Sequence, residues 1–272
     1  MTGTIFYKMS GSGNDFIFLD GRASPLEIWP AARIRDLCRR GVGVGADGFV
    51  ILEPGSGRDR VRFNFFNSDG HRADMCGNGA LCAARLSSWL ELASSQGMIL
   101  ETDAGPVKAR CVDGPGELAE IVVPTPSKPL RVDVPLESGE QEIHLLTVGV
   151  PHVVVIVEDL RVPELMERGQ ILRGHPAVGE GGANVNFAAS VGGRWAMRTY
   201  ERGVEAETLA CGTGAAALAT VLRDVHGDLE GGELPVRTAT GLEVTITGMD
   251  VRTEPPRLRG EGRMVFRGVL GS

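Results

Sequence analysis

The chain has 272 residues, 42% of them hydrophobic and 23% charged, which is enough to bury more than one core. Acidic residues outnumber basic ones 35 to 28, for a net charge of -7, and no dense Lys/Arg block is present, which argues against a binder of nucleic-acid backbone. No apolar run approaches the roughly 20 residues of a membrane span, and MTGTIFYKMS lacks the charged head and apolar stretch of a signal peptide, so a cytoplasmic, membrane-free protein is expected.

In chain order the β-branched and aromatic runs IFYKM, DFIFLD, FVILEP, VRFNFF and AEIVVP predict strands in the first half. HLLTVGV, VVVIVED, NVNFAAS, RWAMRTYE, LEVTIT and MVFRGVL do so in the second. IWPAARIRDLCRR carries Ile34, Leu37 and Cys38 at helical spacing, with Pro30 at a first-turn position, and VPELMERGQIL repeats that plan. VVPTPSKPLRVDVP has no period and reads as a linker. Glycine is used 38 times, about twice the ordinary frequency, without a Gly-X-Y period, so the glycines belong to turns.

The arrangement is duplicated. CGNGALCAARLSSWLE, from Cys76, parallels CGTGAAALATVLRD, from Cys211, an offset of 135 (211 − 76) in 272. Each continues as a helix, with Cys82, Leu86, Trp89 and Leu90 on the packing face of the first and Leu218, Val221, Leu222 and Val225 on that of the second. Nine residues before each cysteine stand Asn67 and Arg202. GSGNDFIFLD matches VGVPHVVVIVED, and GVGADGFVIL matches GGANVNFAA. The expected fold is therefore α/β of the α+β type: two pseudo-symmetric domains, each a curved mixed sheet or barrel around the helix that follows its CGxG. The expected domains are residues 1–124 with 262–272, and residues 125–261.

Several chemistries are disfavoured. Gly43, Gly45 and Gly48 satisfy GxGxxG, but a helix precedes them and a strand follows, the reverse of a dinucleotide site. Only Lys8, Lys108 and Lys128 could form a Schiff base, and none lies in a phosphate-binding loop, so no pyridoxal phosphate or other cofactor is expected. The five cysteines are unpaired in number, lack CxxC spacing and have no clustered histidines among His71, His144, His152, His175 and His226, so neither a metal site nor a disulfide scaffold is expected.

Cys38, Cys82 and Cys111 read as packing residues on helix faces and in a strand. Cys76 and Cys211 differ, because each sits in a Gly-rich turn opening a helix, where the helix end lowers a thiol pKa from about 8.5 toward neutrality. Gly77, Gly79, Gly212 and Gly214 remove Cβ atoms that would keep a ligand from the backbone N–H groups, and those groups bind carboxylates. Two such sites related by a pseudo-twofold axis would offer one sulfur to each face of an α-carbon, the requirement for inverting it: a thiolate removes the proton and the opposite thiol returns one.

KMSGSGNDFIFLD, GVGADG, FFNSDG, MCGNG, GGANVNF and YERGVEAETLACGTGAAA, in that order over nearly the whole chain, resemble the diaminopimelate epimerase family. Proline racemases are similar but carry His where this chain has Asn78, and phenazine-type isomerases lack the cysteine pair. The resemblance implies a cofactor-independent isomerase that interconverts LL- and meso-diaminopimelate in lysine and peptidoglycan precursor synthesis, with Cys76 and Cys211 as the acid/base groups. It also implies a homodimer, and substrate contacts from Asn14, Asn67, Asn184, Glu201 and Arg202. The N–H groups of Gly77, Asn78, Gly212 and Thr213 would cradle the α-carboxylate. In this reading Arg202 pairs the distal carboxylate, Asn67 and Asn184 donate to it, and Glu201 accepts from the distal ammonium. Turn chemistry is the competing account of the three asparagines, and a solvated strand pair that of Glu201 and Arg202, whose adjacency points them to opposite faces.

Two departures stand out. Gly149-Val150-Pro151-His152 replaces a common Gly-Asn-Pro-His, removing an amide from distal recognition, and Leu81 stands where Arg is common. His152 reads as structural. A racemase for another polar amino acid and a non-catalytic amino-acid-binding protein are the competing functions.

Overall fold

A computed structural model describes residues 3–112, 117–250 and 254–271. They form two units, residues 1–122 with 259–272 and residues 123–258.

In the first unit the chain runs β1 (Thr4–Gly11), β2 (Asn14–Asp20), α1 (Ala31–Cys38), β3 (Gly48–Pro54), β4 (Arg60–Asn67) and β5 (Arg72–Ala73). It continues through α2 (Gly77–Trp89), β6 (Met98–Thr102), β7 (Gly105–Cys111) and β8 (Leu118–Val122). The second unit repeats the order after the short β9 (Leu130–Arg131): β10 (Glu140–Val148), β11 (Val150–Val157), α3 (Leu165–Arg173), β12 (Asn184–Val191), β13 (Arg194–Glu201) and β14 (Ala206–Thr208). Then come α4 (Gly212–Val221), β15 (Leu234–Arg237) and β16 (Glu243–Thr247). The chain then returns through β17 (Arg257–Glu261) to β18 (Arg263–Leu270), which pairs antiparallel with β1.

Strand pairing shows the duplication directly. β1–β2 and β10–β11 are antiparallel, β2–β3 and β11–β12 parallel, β3–β4 and β12–β13 antiparallel. β4–β6 and β13–β15 are again parallel, and each is closed by an antiparallel hairpin. The fold is mixed α+β, dominated by sheet. Parallel neighbours need a crossover, and α1 and α3 supply it in the two copies.

Both faces of the inner strands are covered. In β2, Ile17 and Leu19 join Ile34 and Cys38 of α1 in one buried cluster. Phe16 points the other way, where its ring lies near α2. In β11, Val153, Val155 and Val157 pack with Leu165 and Leu172 of α3, leaving Val154 and Ile156 for the opposite face. α2 and α4 are enclosed: Ala80 through Ala84 and Ala215 through Ala219 are all 0% exposed. A helix apolar on every side is stable only as the core of its unit, and alanine lets the sheet approach closely. Among the described residues no helix is long and apolar enough to cross a membrane.

Three sequence expectations need correction. Trp89 is 56% exposed and stacks edge-on against Tyr7, because α2 ends there; Val225 is 46% exposed, because the α-helical pattern gives way to a π-turn at Leu222–His226. Pro30 is the cap of α1 rather than its first residue, with an extended ψ of 150°. The 122–135 linker is anchored, since Val132 and Val134 enter the core of the second unit.

Candidate active site

Each unit brings one cysteine and its neighbours to the start of its central helix. Cys76 caps α2 in an extended conformation, and its carbonyl accepts from the Ala80 N–H at 2.8 Å. Cys211 caps α4 in the same way, with its carbonyl accepting from Ala215 N–H at 3.0 Å. The Cys211 Sγ also accepts from the Gly214 N–H at 3.4 Å and lies 3.6 Å from Thr213 Oγ1. An N–H aimed at sulfur favours the thiolate over the thiol. Cys82 and Cys38 are fully enclosed, and burial pushes the Cys38 thiol up to about 11 and the Cys82 thiol well above its ordinary value. Cys111 lies at the end of β7, its thiol 3.7 Å from the Ala84 carbonyl oxygen.

The CGxG glycines are not equivalent. A Cβ on Gly212 would stand 2.3 Å from Leu258 Cδ2, and one on Gly214 2.2 Å from Asn186 Oδ1. A Cβ on Gly79 would meet Phe63, the Cys76 Cβ and Phe16 at 3.4, 3.5 and 3.7 Å, all in ordinary contact. The requirement for glycine is thus steric around Cys211 and slack at Gly79.

In the first unit Asn78 is buried, and its Nδ2 donates to Asn14 Oδ1 at 2.6 Å, tying the β1–β2 turn to the first turn of α2. Gly11 makes that approach possible, since a Cβ there would lie 2.4 Å from the Asn78 carbonyl oxygen. Asn67 ends β4 opposite Gly48 and is exposed; its backbone closes a turn with Gly70 and His71, at 2.9 Å each.

In the second unit Asn184 Oδ1 accepts from the Arg202 backbone N–H at 2.9 Å, which leaves the Asn184 amide nitrogen as its donor. The Arg202 Nη1 bonds the carbonyls of Gly181 and Gly182, both at 3.2 Å. Arg202 lies one residue beyond β13, so strand alternation with Glu201 does not apply and both side chains belong to the same turn region. Burial raises the Glu201 carboxyl pKa, partly opposed by a hydrogen bond with Thr208.

Register corrects one pairing of the repeat. Gly48 is opposite Asn67, and continuing the Val185–Tyr200 register puts Asn184 opposite Glu201, so Asn67 corresponds to Glu201 rather than to Arg202. The 202–205 turn has one residue more than its counterpart, which restores the cysteine offset.

Sequence reasoning assigned no role to Asn186, two residues after Asn184 in β12. Its Nδ2 donates to Val153 O at 3.0 Å and to His152 Nδ1 at 3.2 Å, and its Oδ1 accepts from Thr199 Oγ1 at 3.0 Å. His152 is 0% exposed, and burial, assisted by the Arg202 charge, pushes its pKa down to about 3. The neutral ring that accepts at Nδ1 carries its proton on Nε2. The only signal for Asn186 in the sequence was its alternation with Asn184 in a strand, which places the two on one face.

This plan, a duplicated α+β unit with a cysteine at the head of each central helix, belongs to an amino-acid epimerase, an isomerase. A phenazine biosynthesis protein of the PhzF family from Bacillus anthracis superposes with a TM-score of 0.76, covering all of both chains at 16% identity. A hydroxyproline epimerase from Agrobacterium vitis, solved with trans-4-hydroxy-L-proline, superposes at 0.68, covering 98% of this chain and 92% of that one at 20% identity; at such identities the likeness is one of fold. The family model for diaminopimelate epimerase matches residues 6–123 and 144–258. Diaminopimelate epimerases from Gemmatimonas aurantiaca and Aquifex aeolicus are 41% and 37% identical, each over 97% of this chain and over 98% and 97% of their own lengths. The chain belongs to the diaminopimelate epimerase family.

Proposed function

We propose that this chain interconverts LL- and meso-diaminopimelate, with Cys76 and Cys211 exchanging roles as base and acid. One sulfur removes the α-proton as thiolate and the other, as thiol, delivers a proton to the opposite face, so the centre inverts and the thiol and thiolate exchange places. The N–H groups opening α2 and α4, at Gly77, Asn78, Gly212 and Thr213, hold the α-carboxylate as charge moves onto it. Arg202, Asn67, Asn184 and Glu201 bind the distal amino-acid head, and Asn14 contributes beside Asn78. The carrying observation is that both cysteines cap buried helices at equivalent points of the repeat, whereas Cys38 and Cys82 are packed in the core and Cys111 ends a strand.

The reaction in this reading needs no pyridoxal phosphate. Lys8 is buried and paired with Asp15 at 2.7 Å, a poor state for forming an imine, and Lys108, in β7, and Lys128, in the segment before β9, are exposed. The setting is cytoplasmic, in lysine and precursor synthesis, with a small-molecule substrate, no nucleic acid or membrane, and a homodimer as the assembly.

The test is incubation with LL- or meso-diaminopimelate in deuterated water without added cofactor. Deuterium should enter one α-carbon; none enters with a mere binder, and a racemase of another amino acid prefers its own substrate. Cys76→Ala and Cys211→Ala should each abolish epimerisation, and full turnover by either would overturn the two-base scheme.

A further inference from the structure

Two acidic side chains stand behind Asn14 that the reaction just described does not use. Asn14 Nδ2 donates to Asp47 Oδ2 at 3.1 Å, and that oxygen also accepts the Asp15 backbone N–H at 3.2 Å. The other Asp47 oxygen accepts from Arg40 Nη2 at 2.8 Å. Arg40 reaches both oxygens of Asp15, at 2.6 and 3.0 Å, and the Lys8 ammonium lies against Asp15 while donating to the Gly45 carbonyl. Two cations and two carboxylates are thus locked together, and Asp47 is held in place from three directions.

We infer that Asp47 is a positioning residue that fixes which edge of the Asn14 amide faces the substrate; the inference rests on the epimerase reading above. A carboxylate only accepts, so the edge of Asn14 turned to Asp47 must be its NH2. Its oxygen then points to Asn78, which must answer with its own NH2, as the 2.6 Å bond shows. One anion therefore sets the direction of two amides in series. With its oxygen held by Asn78, Asn14 presents its second N–H to a ligand, next to the backbone N–H groups at the head of α2. The donors gathered at this edge match a carboxylate better than an ammonium.

The repeat supplies the control for a purely structural role. Phe16 pairs with Gly48 and His152 with Asn184 in the corresponding parallel ladders, so Asn14 and Asp47 correspond to Val150 and Ala183. The second copy builds the same strand pair with two apolar residues. Connecting these strands does not require an amide–carboxylate pair, and the first copy has one beside its cysteine-capped helix.

The experiment is a double-mutant cycle on the full-length protein with meso-diaminopimelate, using Asn14→Ala, Asp47→Ala and the pair. Values of kcat and KM are measured together with α-deuterium incorporation. Each single change should lower kcat/KM about tenfold, the usual size of one lost polar contact, and the double variant should lie within about twofold of Asn14→Ala alone. Losses that multiply, or an Asp47→Ala enzyme equal to the parent, would overturn the assignment. Asn14→Asp with Asp47→Asn restores a bond of reversed polarity; its melting temperature should recover while kcat/KM stays at least about tenfold down, and recovered activity would refute the polarity argument. If Asp47→Ala does not fold, Arg40→Ala, which loosens Asp47 from an exposed position, gives the same cycle: a loss with Asn14 present that vanishes in the Asn14→Ala background, against a loss that persists. Absence of exchange by the unaltered protein would instead overturn the epimerase reading itself, independently of any variant.

Discussion

Alanine at Gly214 and alanine at Gly79 are the same chemical change at equivalent points of the repeat, yet the two should have opposite consequences. At Gly214 the added methyl would stand 2.2 Å from Asn186 Oδ1, 3.0 Å from its Cγ and 3.3 Å from the Cys211 sulfur. Asn186 cannot swing aside cheaply, because it is 0% exposed and bonded to Val153, His152 and Thr199. Forcing it out loses one or two buried hydrogen bonds, about 1–3 kcal/mol each, or strains the core by a similar amount. The gain in helix propensity returns at most about 1 kcal/mol, for a net destabilisation of about 2–4 kcal/mol. Displacing the Gly214 N–H also moves the donor to Cys211, and a misplacement of about 1 Å typically lowers catalysis about 100-fold. At Gly79 the nearest atoms, 3.4 Å away or more, are in ordinary contact distance. Gly79→Ala should therefore be neutral or stabilising by up to about 1 kcal/mol and keep activity within about fivefold. Urea unfolding and kcat/KM on both variants decide it. Equal stability for the two, or a Gly214→Ala enzyme with parental kcat/KM, would refute the steric argument.

His152 should shape the acid limb of stability. Its pKa falls from 6.5 unfolded to about 3 folded, so the unfolded chain binds the extra proton between those values and stability, complete above pH 6.5, declines as pH falls. The limiting slope is about 1.4 kcal/mol per pH unit, and His152→Gln should flatten it in urea melts at pH 4.5 to 7; an unchanged slope would show that the ring does not titrate with unfolding. Asp15, whose burial is outweighed by hydrogen bonds from Arg40 and Lys8, has its pKa lowered to about 2. Its contribution should be complete above about pH 4 and lost as pH falls through 2, and Asp15→Asn should remove that low-pH component from the same melts. Val150 is 36% exposed and opens the strand whose His152 pairs with Asn184. Val150→Asn should lower KM for diaminopimelate with little change in kcat, while an unaltered KM would place Val150 outside distal recognition.

The inner architecture was legible because its strands are β-branched or aromatic and its helices periodic. The strands that escaped are those whose composition hides them. In β6 and β7, MILET and GPVKARC carry Glu, Lys and Pro because alternate residues are half-buried in the first and exposed in the second; in β15, Pro235 interrupts LPVR. The cysteine motifs were legible because duplication printed them twice at one offset. Asp47 and Asn186 were not, since a polar residue inside a recognised motif looks the same whether it touches a ligand or holds another residue in place. Only the hydrogen-bond partners separate the two, and for Glu201 and Arg202 only the strand end showed that adjacency did not imply opposite faces.

Duplication followed by local divergence explains why the surroundings of the two cysteines differ in detail. Both copies carry a cysteine at the N-terminus of the central helix, and that part of the repeat is kept. In the proposed reaction the substrate has unlike groups to be recognised, so the polar residues around the two cysteines need not stay symmetric. At the turn joining the first two strands, one copy has Asn14 backed by Asp47 and the other Val150 backed by Ala183, on the same strand pairing. At the end of the third strand of each pairing, one copy has Asn67 and the other Glu201. The burial-raised Glu201 carboxyl suits contact with an ammonium, which restores the charge that desolvation disfavours, whereas the donors at the Asn14 edge suit a carboxylate. In the proposed two-base scheme, a symmetric pair of cysteines set in asymmetric recognition chemistry is what inversion of one centre in a two-headed amino acid demands: the reacting carbon must be approached alike from both sides, while the rest of the molecule is held in a single orientation.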